Sequence, residues 1–170
     1  LSVGTWKEPN DWDHRNYCGP GATQVALDAR LPASSVPNIE TLTQEEYLNP
    51  NWGVYINNIT PVLNTRLSTT WYVTSGSGSA TTLYSRIVSD IDNNYAIITG
   101  VVTNNMPGWG GYGVNHIVAV YGYNEPTLNN QYVKYTETAG SVAGYSGSYF
   151  QQVTRQQMWT YVSPNDAQSW

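Results

Sequence analysis

The hydrophobic pattern of the chain changes period near residue 93, and that change limits the folds open to it. Up to Asp92 the apolar residues recur mainly at helical spacing. Beyond it, Tyr95 to Thr103, Asn115 to Tyr123 and Gln131 to Thr138 are rich in β-branched and aromatic residues and are parted by Gly, Pro and Asn clusters, the mark of strands. Residues 18–30 place Ala22, Val25, Ala26 and Ala29 on one helical face, with Gly19 and Pro20 in the first turn, where the missing Pro donor costs nothing. Thr43-Gln44-Glu45-Glu46 has the form of a capping box and predicts the start of a short helix. Further helices are expected over Val54 to Leu67 and Thr82 to Asp92, with a short strand at Trp71 to Thr74 between them. Tyr149 to Val153 adds a strand, and Thr154 then caps a terminal helix carrying Met158, Trp159 and Val162. Helices first and an antiparallel sheet after them predict one α+β domain of two lobes over residues 1–170. Ser75 to Ser79, SGSGS, is too short to separate domains and reads as a loop.

Charge narrows the set of partners. Charged residues are 11% of the chain, well under the roughly 25% of ordinary soluble proteins, while Asn, Ser, Thr, Gly, Tyr and Trp abound. A neutral, hydrogen-bonding surface of this kind is expected outside cells, so the chain is expected to be secreted, with a targeting segment removed ahead of Leu1. The net charge of −5 and seven scattered Lys and Arg leave no basic face for phosphates, which excludes nucleic acid as a partner. Ala96 to Val102, the longest apolar run, falls far short of the roughly 18 residues of a membrane span. The sequon at Asn58 lies in an expected helix and is read as chance. With one cysteine, no internal disulfide can form, and an exported chain carrying a free thiol calls for an explanation.

That thiol, Cys18, stands in NYCGPGATQVALDA at the expected start of a helix. There the unpaired amides and the positive end of the macrodipole favour a thiolate, and the same amides can stabilise an oxyanion. Cys18 also shares the buried stripe with Ala22, so by position alone inert packing is an equal reading. His116 opens the strand NHIVAVYGYN directly after GWGGYG, on the face of Val118 and Val120. Glu137 falls in phase with Val133 and Tyr135 on the apolar side of its strand, where a carboxylate needs a partner. A hairpin through EPTLNN with Gly122 opposite Gln131 sets His116 opposite Glu137, whereas one residue of slip would put them on opposite faces.

Tyr17-Cys18-Gly19-Pro20, the later strand His-Ile-Val-Ala-Val-Tyr-Gly-Tyr, and the strand ending in an acid and then Ala-Gly together resemble the papain-like cysteine peptidases of the bacteriocin-processing type. The closer likeness is to their free-standing, secreted bacterial relatives. The resemblance implies a papain-like fold, a peptide or protein substrate, no cofactor, and a catalytic triad of Cys18 as nucleophile, His116 as base and acid, and Glu137 where the family has an aspartate. The family also places a glutamine six residues before the cysteine as an oxyanion donor, and here that position is Trp12. Trp12, His14, Asn16 and the Gly19 amide, with Asn10 further off, are the candidate replacements. Trp109 and Tyr112 of GWGGYG are candidates for a peptide cleft, with a plain Gly-rich connection as the equal alternative. No paired ligand spacing points to a metal, and no Gly-rich phosphate loop joins a strand to a helix. The function expected is hydrolysis of peptide bonds through a thioester. The alternatives are a weakened module that binds peptide, glycan or a protein, and an acyltransferase that differs only in the acceptor resolving the thioester.

Overall fold

A computed structural model describes residues 1–127 and 129–170. Five α-helices are seen among them: α1 (Cys18–Asp28), α2 (Ile39–Glu45), α3 (Ile56–Arg66), α4 (Ala80–Asp92) and α5 (Arg155–Val162). The strands are β1 (Thr74–Ser75), β2 (Ile97–Val102), β3 (Asn115–Thr127), β4 (Asn130–Thr136), β5 (Phe150–Thr154) and β6 (Gln168–Ser169). They form one antiparallel sheet in the order β1-β6-β2-β3-β4-β5. The mixed α+β class expected from the pattern is the one observed.

Strand alternation divides the core. From β2 and β3, Ile98, Ile117 and Ala119 face α1, α2 and α3, where they meet Ala22, Val25, Leu42, Ile59 and Leu63. Ile97, Val101, Val118 and Val120 face the other way, onto Leu83 and Ile87 of α4 and Met158 and Val162 of α5. The sheet therefore lies between two helical layers, and the fourth and fifth helices cover the face that the N-terminal helices leave bare.

Several local expectations change. α2 begins at Asn38, whose Oδ1 accepts the Thr41 N–H at 2.8 Å, so Thr43 lies inside the helix and donates back to the Glu40 carbonyl at 2.7 Å. Glu46 ends that helix and is fully buried, the reverse of a capping carboxylate in water. Of the strand expected at Trp71 to Thr74, only Thr74 is in a strand. Asn64 of α3 binds both backbone groups of Tyr72, at 3.0 and 2.8 Å, and so takes the place of a neighbouring strand. The C-terminal β6, which no sequence pattern announced, inserts between β1 and β2. Asn58 of the sequon lies in α3 with its amide donating to the Glu46 carbonyl.

The hairpin register also differs. Gly122 pairs with Lys134, not Gln131, and a bulge between Val120 and Gly122 brings Ala119 opposite Thr136. Leu128 of the connecting turn lies outside the described residues. Beyond the bulge the strands are displaced by two residues from the expected register, and an even displacement keeps every side chain on its face. Carried one residue on, this register sets Glu137 across from Val118, diagonal to His116 on the same face.

Candidate active site

Helix α1 starts at Cys18 with nothing to cap it. Tyr17 at the cap position offers no side-chain hydrogen bond, and the first turn holds no acid. Gly21 N–H is the first to close back, onto the Tyr17 carbonyl at 2.9 Å, while the Cys18 and Gly19 amides have no backbone partner among the described residues. Gly19 is required by packing, because a Cβ there would come within 2.0 Å of Val54 Cγ1. That close approach seats the helix start against the loop leading into α3.

Cys18 lies in the layer of α1, whereas His116, second in β3, points with Val118 toward the opposite layer. The two meet at the end of the sheet, where both line one cleft. His116 Nε2 donates to Glu137 Oε1 at 2.6 Å, deep in the protein. Nδ1 is thereby left for the thiol, which acts on the ring as a hydrogen-bonding and charge partner. Burial works to lower the His116 pKa, but the charges of Glu137 and Cys18 and the bonds to both outweigh it and hold the imidazole well above its ordinary value. Glu137 also accepts the Ala139 N–H at 3.1 Å and the Trp109 indole N–H, on Oε2, at 3.1 Å. A carboxylate with three donors is fixed in orientation, and the imidazole it holds is fixed with it.

Trp109 is thus placed differently from expectation. It is 3% exposed, sits edge-on to His116 with centroids 5.0 Å apart, and braces the His–Glu pair instead of lining a cleft. Tyr112 is exposed and packs near Gly144. The cleft wall comes from residues without any sequence signal: Trp52, Val54, Tyr55, Ile56 and Asn57 on one side, Gly100, Asn115, Ile117, Asn165 and Ala167 on the other. Its volume is about 330 Å³. Trp52 and Tyr55 are half exposed or more and pack ring to ring at 4.6 Å. Among the described residues no charged side chain lines this cleft apart from Cys18 and His116 when ionised, so it suits a neutral, largely apolar occupant.

The oxyanion candidates part company. Trp12 is 66% exposed beneath the Arg15 guanidinium, 4.2 Å from its ring centre. His14 spends Nδ1 on Asp11 and Nε2 on Glu40. Asn16 donates to the Pro50 carbonyl at 2.7 Å, and Asn10 is held by Ser141 and Val142. Of the named candidates, only the Gly19 amide stays beside Cys18 with its donor unspent. Two buried acids lie nearby, Glu8 without any sequence signal and Glu46 read from the sequence as a capping residue. Glu8 donates its amide to the Thr138 carbonyl at 3.1 Å and accepts the Thr138 hydroxyl on Oε1 at 3.3 Å. Burial raises its pKa to about 7 and Glu137 adds to this, while His116, Thr138 and the Tyr17 amide oppose. Glu46 lies under the helix start, its Oε2 close to where a Gly19 Cβ would stand, and burial raises it to about 8. Among the described residues no cluster of His, Cys, Asp and Glu could hold a metal ion, and no helix is long and apolar enough to cross a membrane.

No protein-family model and no curated protein sequence matches the chain. Solved structures do match. A recombinant stem bromelain precursor superposes with a TM-score of 0.64 at 10% identity, over 99% of this chain and 66% of its own, so the chain spans just under two thirds of that precursor's length. The bromelain protease from Ananas comosus, solved with the E64 inhibitor, gives 0.57 at 10% identity over 99% of this chain and 93% of its own. The chain therefore has the papain-like cysteine protease fold, with Cys18 at a helix start packed on an antiparallel sheet.

Proposed function

We propose that the chain is a cysteine peptidase, with Cys18 as nucleophile, His116 as general base and acid, and Glu137 as the group that orients the imidazole. The observation that carries it is the buried bond of 2.6 Å from His116 to Glu137 in a ring that also answers to the Cys18 thiol, at the mouth of an apolar cleft. His116 holds the thiol proton. The sulfur attacks the carbonyl carbon of a bound peptide, a C–S bond forms, and the carbonyl π pair moves onto oxygen. Collapse expels the amine, which takes the proton from His116, and leaves a thioester. Water then adds to the thioester as His116 accepts its proton. The C–S bond breaks, the acid leaves, and the thiol regains its proton. The neutral cleft walled by Trp52, Tyr55 and Ile56 suits a peptide with an apolar side chain near the scissile bond. Export of the chain, and kinship with the bacteriocin-processing branch among bacterial proteins, belong to the same proposal; they rest on the composition and on the Cys-Gly-Pro and His-strand motifs.

Iodoacetamide is expected to alkylate Cys18 in the folded protein faster than a free thiol at mildly acidic pH. Cys18→Ala should abolish hydrolysis of a quenched-fluorescent peptide library while the protein still folds, as read by circular dichroism. Alkylation no faster than that of free cysteine would remove the nucleophile from the scheme. A binding module on the same fold is the second reading. It is favoured by the commitment of Trp12, His14 and Asn16 to partners away from the thiol. Peptide binding by wild type and Cys18→Ala alike, with no turnover by either, would establish that reading instead.

A further inference from the structure

Attack on a carbonyl places a negative oxygen near the start of α1, which offers it one kind of fixed donor, the unpartnered backbone amides of Cys18 and Gly19. The N-terminal segment that precedes the cysteine supplies no amide side chain for a second, since Asn10 and Asn16 are engaged elsewhere. It does bury one acid close to the His116–Glu137 pair. Glu8 is 5% exposed and is clamped to Thr138, the residue after Glu137, through its own backbone N–H and through Oε1. The groups that act on its carboxyl are His116, Glu137, the Thr138 hydroxyl and the amide of Tyr17, immediately before the nucleophile. A buried carboxylate there would sit beside the Glu137 carboxylate with no cation of its own, whereas a neutral acid avoids that clash. With Thr138 donating to Oε1, the acid proton belongs on Oε2, which makes the side chain an O–H donor in the shape of a primary amide.

We propose that Glu8, as a neutral carboxylic acid, is the side-chain donor to the oxyanion formed when Cys18 attacks a carbonyl, acting beside the Cys18 amide. This role rests on Cys18 being the nucleophile, and it answers how the site works without a glutamine in the segment before it. It also makes catalysis depend on a proton that the enzyme loses as the pH rises through about 7. Ionised, Glu8 would repel the oxyanion that it stabilises when neutral.

Two probes separate this role from the nucleophile itself. An N-acetyl dipeptide aldehyde with apolar side chains adds to the thiol and builds a thiohemiacetal oxygen at the oxyanion position, while iodoacetamide reacts at a tetrahedral carbon and builds none. Glu8→Ala is expected to weaken aldehyde binding about 100- to 1,000-fold, the usual loss for one oxyanion donor, with the alkylation rate little changed. Glu8→Gln is expected to restore it, because the amide donates at every pH, and to remove the decline in aldehyde affinity that wild type shows as pH rises through about 7. Aldehyde binding by Glu8→Ala equal to wild type, with rapid alkylation in both, overturns the donor role and leaves the peptidase reading standing. A decline near neutrality that persists in Glu8→Gln also overturns it, since a residue that only pins the segment to Thr138 would leave that limb in place. Slow alkylation of wild type overturns both readings together.

Discussion

Glu46 gives the sharpest physical test of the fold. It closes α2 in full burial, and among the described residues neither of its carboxyl oxygens completes a hydrogen bond; the Thr23 hydroxyl, which acts on the carboxyl, is itself unpartnered. Burial is the main cause of a pKa raised to about 8, far above the ordinary carboxylate range, with Glu45 adding to it and Thr23 opposing. A raised folded-state pKa makes the native protein bind the proton more tightly than the unfolded chain does. The stability it brings is present in full below the unfolded value and is lost as the pH rises through 8. Each pH unit inside that window is worth about 1.4 kcal/mol, so between pH 5 and pH 8 this one group removes about 3 to 4 kcal/mol, set against a total stability of about 5–15 kcal/mol. Glu46→Gln keeps the shape and deletes the titration. Its second amide N–H finds no partner, at a cost of about 1–3 kcal/mol, so the variant should be the less stable protein at pH 5 and the more stable at pH 9. Urea denaturation of both proteins at one-unit intervals from pH 5 to pH 9 measures this as a crossing of the two stability curves. Parallel curves would show that Glu46 is ionised in the native state, and the account of its burial would be wrong.

Two further substitutions test how the site is held. Gly19→Ala forces a Cβ into Val54 Cγ1, and overpacking of this kind costs about 1–3 kcal/mol. Because Val54 also walls the cleft, peptide hydrolysis should fall with the denaturation midpoint; an unchanged midpoint would mean that the loop yields freely. Trp109→Phe removes the indole N–H from Glu137 Oε2, and loss of a hydrogen bond to a charged group costs about 1.5–3 kcal/mol. Chemical denaturation should show at least that loss together with reduced kcat, and unchanged values in both would deny Trp109 its role in bracing the carboxylate.

What the sequence could disclose depended on whether a residue's setting is local. Cys18 at a helix start was legible because Gly19, Pro20 and the stripe of Ala22, Val25 and Ala26 are near in sequence. The common face of His116 and Glu137 was legible from strand alternation alone. The inferred register was two residues out near the site, but parity, not register, decides the face, and the bulge after Val120 restores it. Trp52 and Tyr55 come to the cleft because the chain turns at Gly53, where φ is 99°, and no periodic pattern announces a wall built on such a turn. β6 is two residues long, too short for any alternation to show, and pairs with β2 some seventy residues earlier in the chain. Glu46 departs from expectation for a related reason: a carboxylate close after a threonine has the pattern of a cap, but the helix starts at Asn38. A lone acid in a sequence carries no sign of its burial, and Glu8 was invisible on the same ground.

The buried acids and the imidazole pull in one direction. Glu8 and Glu46 favour their neutral forms, as does Asp90 at the end of α4, raised to about 7 chiefly by burial. His116 favours its charged form through Glu137 and Cys18, against the effect of burial. Each therefore has a folded-state pKa above its unfolded one, and each contributes stability that is whole in mild acid and fades as the pH rises through the folded value. The chemistry proposed for the site needs the same two protons, one on His116 for the departing amine and one on Glu8 for the oxyanion. A peptidase built this way would work and persist best on the acidic side of neutrality, and above it would lose the donor and the stability of the native state over the same range. If hydrolysis instead peaked near pH 9 while Glu46 still titrated as described, the stabilising protons and the catalytic ones would be separate sets, and Glu8 would belong only to the first.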